Sequence, residues 1–341
     1  MSRRLRWLAL SVAGLVALCI AIIGSFAQAE RSVPWKIAVT AQPIEAFMRS
    51  EPELKRFGLL EFRGGLSLSS NESHFGGISG IRFEADGDRF LAITDRGFWL
   101  RGTLKSESGR PVAMADVEMA PMLAAGGGAI TARGWYDTES LAVDGGLVYV
   151  GVERVDRILR FDFGASGVLA PGQPINVPAA MRTIPKNQGI EGMVFVPKGQ
   201  PLGGTLIALS ERGLDAAGNT RGFLIGGSSR GEFAVRRAAD FDITDAALIP
   251  GGDLLILERH FSWRSGIGMR IRRIPLAAIK PGALVDGPVL IEAGNSHQID
   301  NMEGLAAQRT AAGETIITIV SDDNFNPLQR TILLRFALVD E

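Results

Sequence analysis

The sequence predicts an all-β protein folded as a single β-propeller, and two observations carry this prediction. A sequence motif of two consecutive strands recurs five times: the first strand begins at an acidic or small polar residue, and the second ends at an acidic residue. We call this motif the phrase and its first residue the opening. The openings lie at positions 79, 139, 191, 245 and 303, so the period is 52–60 residues. Repeats of this length built from strand pairs are typical of propeller blades of about four strands. The chain also contains 42 glycines, which suit many tight turns. Five phrases and an N-terminal group of strands together predict six blades, with five blades as the alternative.

The first 29 residues have the pattern of a signal peptide rather than of folded structure. An apolar stretch spans residues 8–23, and residues 27–29 form a small-x-small cleavage site before Glu30. We therefore expect export to the periplasm or the medium, either by general secretion or by the twin-arginine route. The segment opens with three basic residues, Arg3, Arg4 and Arg6.

Composition limits the classes of partner. The 341 residues include 36 basic and 37 acidic residues, for a net charge of −1, so we expect no nucleic acid as a partner. No other segment has 18 apolar residues in a row, so we expect no membrane contact after cleavage. The single cysteine, Cys19, lies within the signal peptide. We expect residues 30–341 to form one disulfide-free domain, and a monomer.

Taken in order, the chain reads as short strands separated by turns. Residues 36–40 and 59–68 form the N-terminal group, with a break at Gly64-Gly65, and Asp86-Gly87 is a hairpin turn. Residues 330–338 are a strong final strand. We expect it to pair with the N-terminal group, since such pairing closes the ring and leaves no free edge. Outer strands alternate apolar and polar residues at 98–104, 158–163 and 269–274, and insertions interrupt the period at 120–131, 165–186 and 276–287.

The phrase also predicts where its acidic residues lie. Each opening residue begins one strand, and each closing acid ends the next strand of the same hairpin. Antiparallel strands return to the edge they left. The openings and the closing acids are therefore expected at one mouth of the channel. The openings are Ser79, Glu139, Glu191, Asp245 and Glu303, and the closing acids are Asp95, Glu153, Glu211, Glu258 and Asp322.

These segments resemble the phytase-like domain family, also described as having esterase-like activity related to phytase. The resemblance is carried by residues 76–80 with 92–97, by the openings at 137–141 and 189–193, and by the closing segment 321–325. It covers roughly residues 57–338. The resemblance implies a β-propeller and hydrolysis of phosphate esters or other esters. β-Propeller phytases hold calcium ions with carboxylates, but their calcium-site motifs do not match this chain residue by residue.

The carboxylate ring is the predicted site. Close carboxylates repel one another and require cations or shared protons. Hard oxygen ligands favour Ca²⁺ or Mg²⁺, and we expect Ca²⁺. The expected metal ligands are Glu139, Glu191, Glu303, Asp322 and Asp95.

Four arginines directly follow closing acids and are candidates for binding an anionic or ester substrate through forked hydrogen bonds. They are Arg96, Arg154, Arg212 and Arg259. The candidate catalytic residues are Glu191, Glu303 and His260, the histidine as a general acid.

Two functions remain open at this point. One is a metal-assisted hydrolase of phosphate esters or other esters. The other is a non-catalytic propeller that binds a ligand or partner at its mouth, with the repeated acid–arginine pairs serving the turns of each blade. Ser79 does not lie in a Gly-x-Ser-x-Gly motif, so a serine-hydrolase mechanism at that residue is disfavoured.

Overall fold

The computed structural model describes residues 33–84, 87–238 and 240–339, and in this part the chain forms 25 strands. The first thirteen are β1 (Trp35–Lys36), β2 (Thr40–Ile44), β3 (Arg56–Phe57), β4 (Leu60–Ser69), β5 (Ile78–Phe83), β6 (Arg89–Thr94), β7 (Phe98–Glu107), β8 (Arg110–Pro121), β9 (Leu123–Ala124), β10 (Thr138–Asp144), β11 (Leu147–Val152), β12 (Arg157–Asp162) and β13 (Pro171–Pro174). The others are β14 (Ile190–Phe195), β15 (Thr205–Leu214), β16 (Thr220–Gly226), β17 (Gly231–Val235), β18 (Asp242–Leu248), β19 (Leu254–Ser262), β20 (Gly266–Ile274), β21 (Leu284–Val285), β22 (Val289–Gly294), β23 (Asn301–Arg309), β24 (Thr315–Asp322) and β25 (Thr331–Leu338).

The strands form five sheets, which are the blades of a propeller. From the axis outward, blade one is β5-β6-β7-β8-β1, blade two is β10-β11-β12-β13-β9 and blade three is β14-β15-β16-β17-β21. Blade four is β18-β19-β20-β22, and blade five is β23-β24-β25-β4-β2, with β3 paired to β4. The innermost strands β5, β10, β14, β18 and β23 contact their neighbours in that order, and β23 contacts β5 to complete the ring. The all-β propeller prediction is confirmed.

The blade count is five, which is the alternative count rather than the favoured six. The N-terminal strands do not make a separate blade. Instead, β4 pairs antiparallel with β25, with Leu68 opposite Thr331 and Leu60 opposite Leu338. Strands β2, β3 and β4 therefore share blade five with the last strand, β25, while β1 joins blade one, and the predicted closure of the ring is confirmed.

The hydrophobic core consists of five apolar layers, one between each pair of neighbouring blades. Between blades five and one, for example, Leu333 and Val320 pack with Ile81 and Leu100, all of them buried. Equivalent layers separate the other blades. This arrangement requires both faces of each inner strand to be apolar, and the inner strands β14 and β18 are buried along nearly their whole length. The core therefore fixes the inner strands and, with them, the ends that carry the site.

The insertions lie at the outer edges and at one end of the blades. The segment after blade one contains β9, which pairs parallel with β13, and the segment after β20 contains β21, which pairs parallel with β17. The segment 165–186 contains the end of one short helix, α1 (Phe163–Ser166), and 3₁₀ turns at Gly167–Leu169 and Ala179–Thr183. In the described ranges, no helix has both the length and the apolar character needed to cross a membrane. The expected signal peptide and residue 86 of the expected Asp86-Gly87 turn lie outside the described residues.

Candidate functional site

Every inner strand carries a β-bulge near its start, at the same position in all five blades. In each case one residue is skipped in the pairing with the second strand of the blade. A bulge redirects a side chain without ending the strand, and bulges are common beside active sites. The five bulged residues are Ser79, Glu139, Glu191, Thr244 and Glu303.

The bulges show that the sequence alignment of blade four was wrong by one residue. The bulged residue there is Thr244, and Asp245 pairs with Leu257 instead of starting the phrase. The residue that corresponds to the closing acids is Arg259, which pairs with Asp242 as Asp322 pairs with Asn301 in blade five. Blade four thus contributes a cation where the other four blades contribute an acid.

Asp245 and Glu258, which the sequence placed at the mouth, form buried ion pairs within the fold. Asp245 accepts two hydrogen bonds from Arg82, at 2.8 and 2.9 Å. Glu258 accepts hydrogen bonds from Arg270 and Arg272, both at 2.7 Å. Asp245 and Glu258 are at most 1% exposed, so their role is to pair buried charges.

Apart from Glu153, which accepts a hydrogen bond from the Gly189 N–H, the remaining acids converge at one end of the axis, and we call this group the acidic mouth. Charge repulsion within the group raises the pKa of Asp95, Glu139, Glu191 and Glu303. Glu191 and Glu303 are 9% and 8% exposed, Asp322 is 4% exposed, and Glu139 and Asp95 are half-buried. The acidic mouth comprises Glu139, Glu191 and Glu303 at the bulges, and Asp95, Glu211 and Asp322 at the closing positions. It therefore contains all five of the predicted metal ligands.

Glu303 and Asp322 form a carboxyl–carboxylate pair within the acidic mouth. Burial raises the pKa of Glu303 to about 8, with Arg259 opposing that rise. Burial also raises the pKa of Asp322, to about 6, although the Asn324 N–H donates to its carboxylate at 2.6 Å. Glu303 donates a hydrogen bond to Asp322. The two groups therefore differ in protonation near neutral pH, one holding a proton and the other a charge.

The other carboxylates of the acidic mouth present open oxygen atoms. Within the described residues, Glu139 and Glu191 have neither a hydrogen bond nor an ion pair from a side chain or backbone group, and the buried Oδ1 of Asp95 has no partner either. Burial, together with the surrounding acids, raises the pKa of Glu139 and Glu191 well above the usual range. Burial raises the pKa of Asp95 to about 7, with Asp322 adding to the rise. Unpaired oxygens at this density suit a cation or a proton.

The approach of Asp95 to the mouth depends on Gly77. The φ angle of Gly77 is +61°, and a Cβ atom on residue 77 would lie 2.2 Å from Asp95 Oδ1. The backbone N–H of Asp95 donates to the Gly77 carbonyl at 2.8 Å. Only glycine allows both this backbone conformation and this contact.

Arg259 is the cation of the acidic mouth. Its Nη1 donates to Asn301 Oδ1 and lies 3.4 Å from Glu303, and its Nη2 lies 3.6 Å from Glu211. Asn301 in turn donates to Glu303 at 2.7 Å. Burial alone would lower the pKa of Arg259. The negative charges of Glu303, Glu191 and Glu211 outweigh this effect, so the pKa of Arg259 is raised. Arg259 thus offsets part of the negative charge, and six acids remain for one guanidinium.

The other three predicted substrate arginines lie around the rim. The guanidinium of Arg96 lies 3.2 Å from the ring centre of Phe325, and that of Arg154 lies 4.5 Å from that of Tyr136. Both are exposed, and their N–H edges remain accessible to an anion. Arg212 binds Asp242 of the next blade at 2.6 Å, so its charge is already paired.

His260, the third catalytic candidate, contacts Ser265 and Phe241 rather than a carboxylate of the acidic mouth. Its Nε2 is 2.8 Å from Ser265 Oγ, and its ring packs against Phe241 at 5.4 Å. Among the residues that the structure describes, no three side chains of His, Cys, Asp or Glu are arranged to hold one metal ion. The oxygen donor set itself, with open atoms on Glu139, Glu191 and Asp95, is of the type that Ca²⁺ and Mg²⁺ prefer.

Arg82 closes the channel below the acidic mouth. Its Nη1 donates to the carbonyl of Leu305 at 2.7 Å, and its Nη2 donates to the carbonyls of Met193 and Ala246 at 3.0 and 2.9 Å. With Asp245, these bonds join β5 to β14, β18 and β23 across the axis. The mouth is therefore a cup with a floor. Sequence reasoning missed Arg82, and the only signal was an arginine within an otherwise apolar inner strand.

A five-bladed propeller with an acidic cup at one end of its axis defines the class of protein. The chain belongs to the phytase-like family, described as "Esterase-like activity of phytase", whose family model matches residues 73–325. This range includes all five bulges. No curated protein matches the chain.

Solved structures show only a distant likeness. The structure of U3-55K is 11% identical, with a TM-score of 0.40, and the match covers 77% of this chain and 96% of that chain. The WD40 repeats of RRP9 are 11% identical, with a TM-score of 0.39 and coverages of 77% and 95%. Glutaminyl cyclase of Myxococcus xanthus is 15% identical, with a TM-score of 0.35 and coverages of 78% and 92%. No functional inference follows from these likenesses.

Proposed function

We propose that the protein hydrolyses phosphate esters or other esters in the acidic mouth with the help of a divalent cation. The observation that supports this most is the buried Glu303–Asp322 pair, in which Asn301 donates to Glu303 and the Asn324 N–H donates to Asp322. Burial raises the pKa of Glu303 to about 8 and the pKa of Asp322 to about 6. Hydrolytic sites commonly place two carboxyl groups in environments that separate their pKa values, so that one donates and one accepts a proton. Membership of the phytase-like family agrees with such a reaction.

Each residue of the pair then has a distinct task. At neutral pH, Asp322 is ionised and able to accept a proton from an attacking water. Glu303 retains its proton and is able to give it to the oxygen of the leaving group. The hydrogen bond from Asn301 and the nearby Arg259 hold Glu303 in place. Both groups lie next to each other, so one bound ester is able to reach both.

Glu139, Glu191 and Asp95 are the residues that would hold the cation, since their oxygens lack partners within the described chain. A divalent cation held there would polarise an ester or phosphoryl oxygen and would lower the pKa of a water nucleophile. The same positive charge offsets the repulsion between the acidic mouth and an anionic substrate. Arg96 and Arg154 at the rim would orient the anionic part of the substrate.

A panel of phosphate monoesters and carboxylic esters, assayed with calcium, with magnesium and with chelator, tests this proposal. We expect Asp322→Asn and Glu303→Gln to lower kcat by about 100-fold or more, the usual scale for a general base or acid. Glu118→Gln is the matched control, because Glu118 is an acid of the outer strand β8 that pairs with Arg101. Its activity should equal that of the wild type.

The proposal fails if Asp322→Asn and Glu303→Gln retain full activity, or if the purified protein hydrolyses nothing on the panel. A second candidate function then applies, a propeller that binds a ligand without reaction. Two observations favour that alternative: Arg259 already supplies a cation, and no three acidic side chains in the described ranges are arranged to hold one metal ion. Under it, a cationic ligand should bind the mouth, and binding should weaken in Glu191→Gln.

We also propose that the protein acts outside the cytoplasm, as residues 1–29 have the form of a signal peptide. Mass spectrometry of the exported protein should give Glu30 as the first residue. A mature chain that retains the apolar segment would refute this.

A further inference from the structure

We propose that a cavity at the end of the propeller opposite the acidic mouth binds a phosphate group. The cavity has a volume of about 350 Å³ and lies between blades five and one. Among the described residues, the cavity is lined by Gly87 and Asp88 just before β6, by the turn that connects β7 to β8 and by the turn that connects β23 to β24. These turns lie at the far ends of the inner hairpins from the bulges, so this site is separate from the proposed hydrolytic site.

The central observation is a buried arginine without an ion-pair partner. Three arginines in the described part of the chain are buried, and two of them, Arg270 and Arg272, bind the carboxylate of Glu258. The third, Arg335, is 5% exposed and forms no ion pair within the described residues. The only hydrogen bond of its side chain there is from Nη1 to Ser106 Oγ at 2.9 Å, and its Nε has no partner among the described residues. An unpaired buried charge is costly, and an anion in the cavity would offset that cost.

The neighbours of Arg335 increase the demand for an anion. Arg63 and Arg309 also line the cavity, and the buried Nε of Arg63 has no partner in the described chain. Two acids, Asp88 and Glu314, line it as well. Glu314 accepts a hydrogen bond from Arg63 Nη2 at 2.8 Å and forms an ion pair with it. Burial lowers the pKa of Arg335, and the charge of Asp88 opposes that effect only in part. Arg63 Nη1 also lies 3.5 Å from Glu61. Among the described lining residues, Arg309 and Arg335 are therefore the cations that form no ion pair.

The acceptor groups in the cavity narrow the choice of anion. Gln308 donates from Nε2 to the Gly87 carbonyl at 2.8 Å, so its buried Oε1 can only accept, and within the described residues it accepts nothing. A ligand that fits must therefore supply acceptor oxygens to the arginines and an O–H to Gln308. Hydrogenphosphate and the monoanion of a phosphate monoester carry both. Sulfate and carboxylate ions at neutral pH lack the O–H. Hydroxyls of Ser106 and Thr310 are further donors in the lining.

Calorimetric titration with inorganic phosphate, with a small phosphate monoester and with sulfate tests this site. We expect phosphate to bind at least about tenfold more tightly than sulfate, since the bond to Gln308 is missing with sulfate. A monoester that binds as well as inorganic phosphate shows that the cavity accepts the group at the end of a larger molecule. If only inorganic phosphate binds, the free ion is the ligand.

Gln308→Glu is the most informative variant, because it supplies a carboxylate inside the cavity. We expect it to raise the melting temperature of the protein without ligand and to abolish phosphate binding. Arg335→Met should also abolish binding. Gln173→Glu, an exposed position on β13, is the matched control and should leave binding unchanged. Glu191→Gln should likewise have no effect, which separates this site from the acidic mouth.

Two results would overturn the proposal. One is the absence of phosphate binding by the wild type, which would mean that the cavity holds only water. The other is binding that persists unchanged in both Gln308→Glu and Arg335→Met. If Arg335→Met does not fold, Gln308→Glu decides the question alone, since that substitution keeps the side-chain shape.

Discussion

Arg259 occupies the position in blade four that an acid occupies in the other four blades. This positive charge in place of a negative one makes the acidic mouth asymmetric. The guanidinium of Arg259 lies against Glu303 and Glu211, while the carboxylate oxygens of Glu139 and Glu191 have no partner within the described residues. A ring of identical acids would bind any cation diffusely. With Arg259 in place, the protonated and ionised members of the ring occupy fixed positions.

We expect Arg259→Gln to destabilise the protein by roughly 2 kcal/mol at pH 8, on the scale of hydrogen bonds to charged groups. The loss should be smaller at pH 5, where the neighbouring acids are protonated. Denaturant unfolding at the two pH values measures both effects. Arg212→Gln is the matched control, since Arg212 follows an acid in the same phrase but is half exposed, and its loss should cost ~0–1 kcal/mol. Equal losses in the two variants would show that Arg259 is not a special counter-ion.

Substitution of Glu191 tests whether a single carboxylate of the acidic mouth contributes to the binding of the expected cation. If calcium binds the acidic mouth, the ion stabilises the folded state by about 2.7 kcal/mol at a hundredfold excess over Kd. Calcium should therefore raise the melting temperature of the wild type, and Glu191→Gln should reduce that gain while keeping the shape of the side chain. Unmoved melting curves with calcium and with magnesium would rule out a divalent cation at this site.

The inner strands are the elements that build the site, and two features of each strand matter. The bulge redirects one side chain into the mouth, and the residues after it pack at the axis. In β5 one of these residues is Arg82, which ties four inner strands together. The cup and its floor are thus made by the same five strands.

We expect Arg82→Met to destabilise the protein by about 3–5 kcal/mol, because it leaves the charge of Asp245 buried and unpaired. Chemical denaturation measures the loss. Arg101→Met on the outer surface should cost less than about 1 kcal/mol, since its ion pair with Glu118 is exposed. The double variant Arg82→Met with Asp245→Leu should recover part of the loss. A loss in Arg82→Met no greater than that in Arg101→Met would show that the floor does not stabilise the ring.

The acidic mouth lowers the stability of the folded protein by an amount that depends on pH. Folding raises the pKa of Asp95 to about 7, of Asp322 to about 6 and of Glu303 to about 8. Between the usual carboxyl pKa of about 4 and these values, the folded state binds more protons than the unfolded state. Stability must then fall as the pH rises through this range.

Without added cations, the melting temperature should be highest near pH 5 and should decrease steadily towards pH 8. Calcium should flatten this profile, because a bound cation replaces the protons. A series of melting curves across this range, in chelator and in calcium, measures both effects. A melting temperature that rises from pH 5 to pH 8 in chelator would contradict the pKa values of the acidic mouth.

The sequence by itself determined the propeller, its closure by the last strand and the acidic character of one end. These features rest on local patterns: alternation along each strand, turns between strands, and a phrase repeated at a period of 52–60 residues. Glu139, Glu191 and Glu303 stood out because they share one place in that phrase. Strand pairing then sent Asp95 and Asp322 to the same end, and the structure brings all five together.

Only the tertiary structure decided the number of blades and the sign of the charge in blade four. The N-terminal strands could have made a sixth blade, and their use in blade five depends on pairing between residues more than 200 positions apart. In blade four the bulge falls at Thr244 and Asp242 pairs with Arg259. Because a shift of one residue moves a side chain to the opposite face of a strand, Thr244 and Arg259, rather than Asp245 and Glu258, take the positions at the mouth. Arg82 and Asp245 are 163 residues apart, and Arg335 and Ser106 are 229 apart. Contacts at such separations leave no local pattern, since they exist only when the ring has closed.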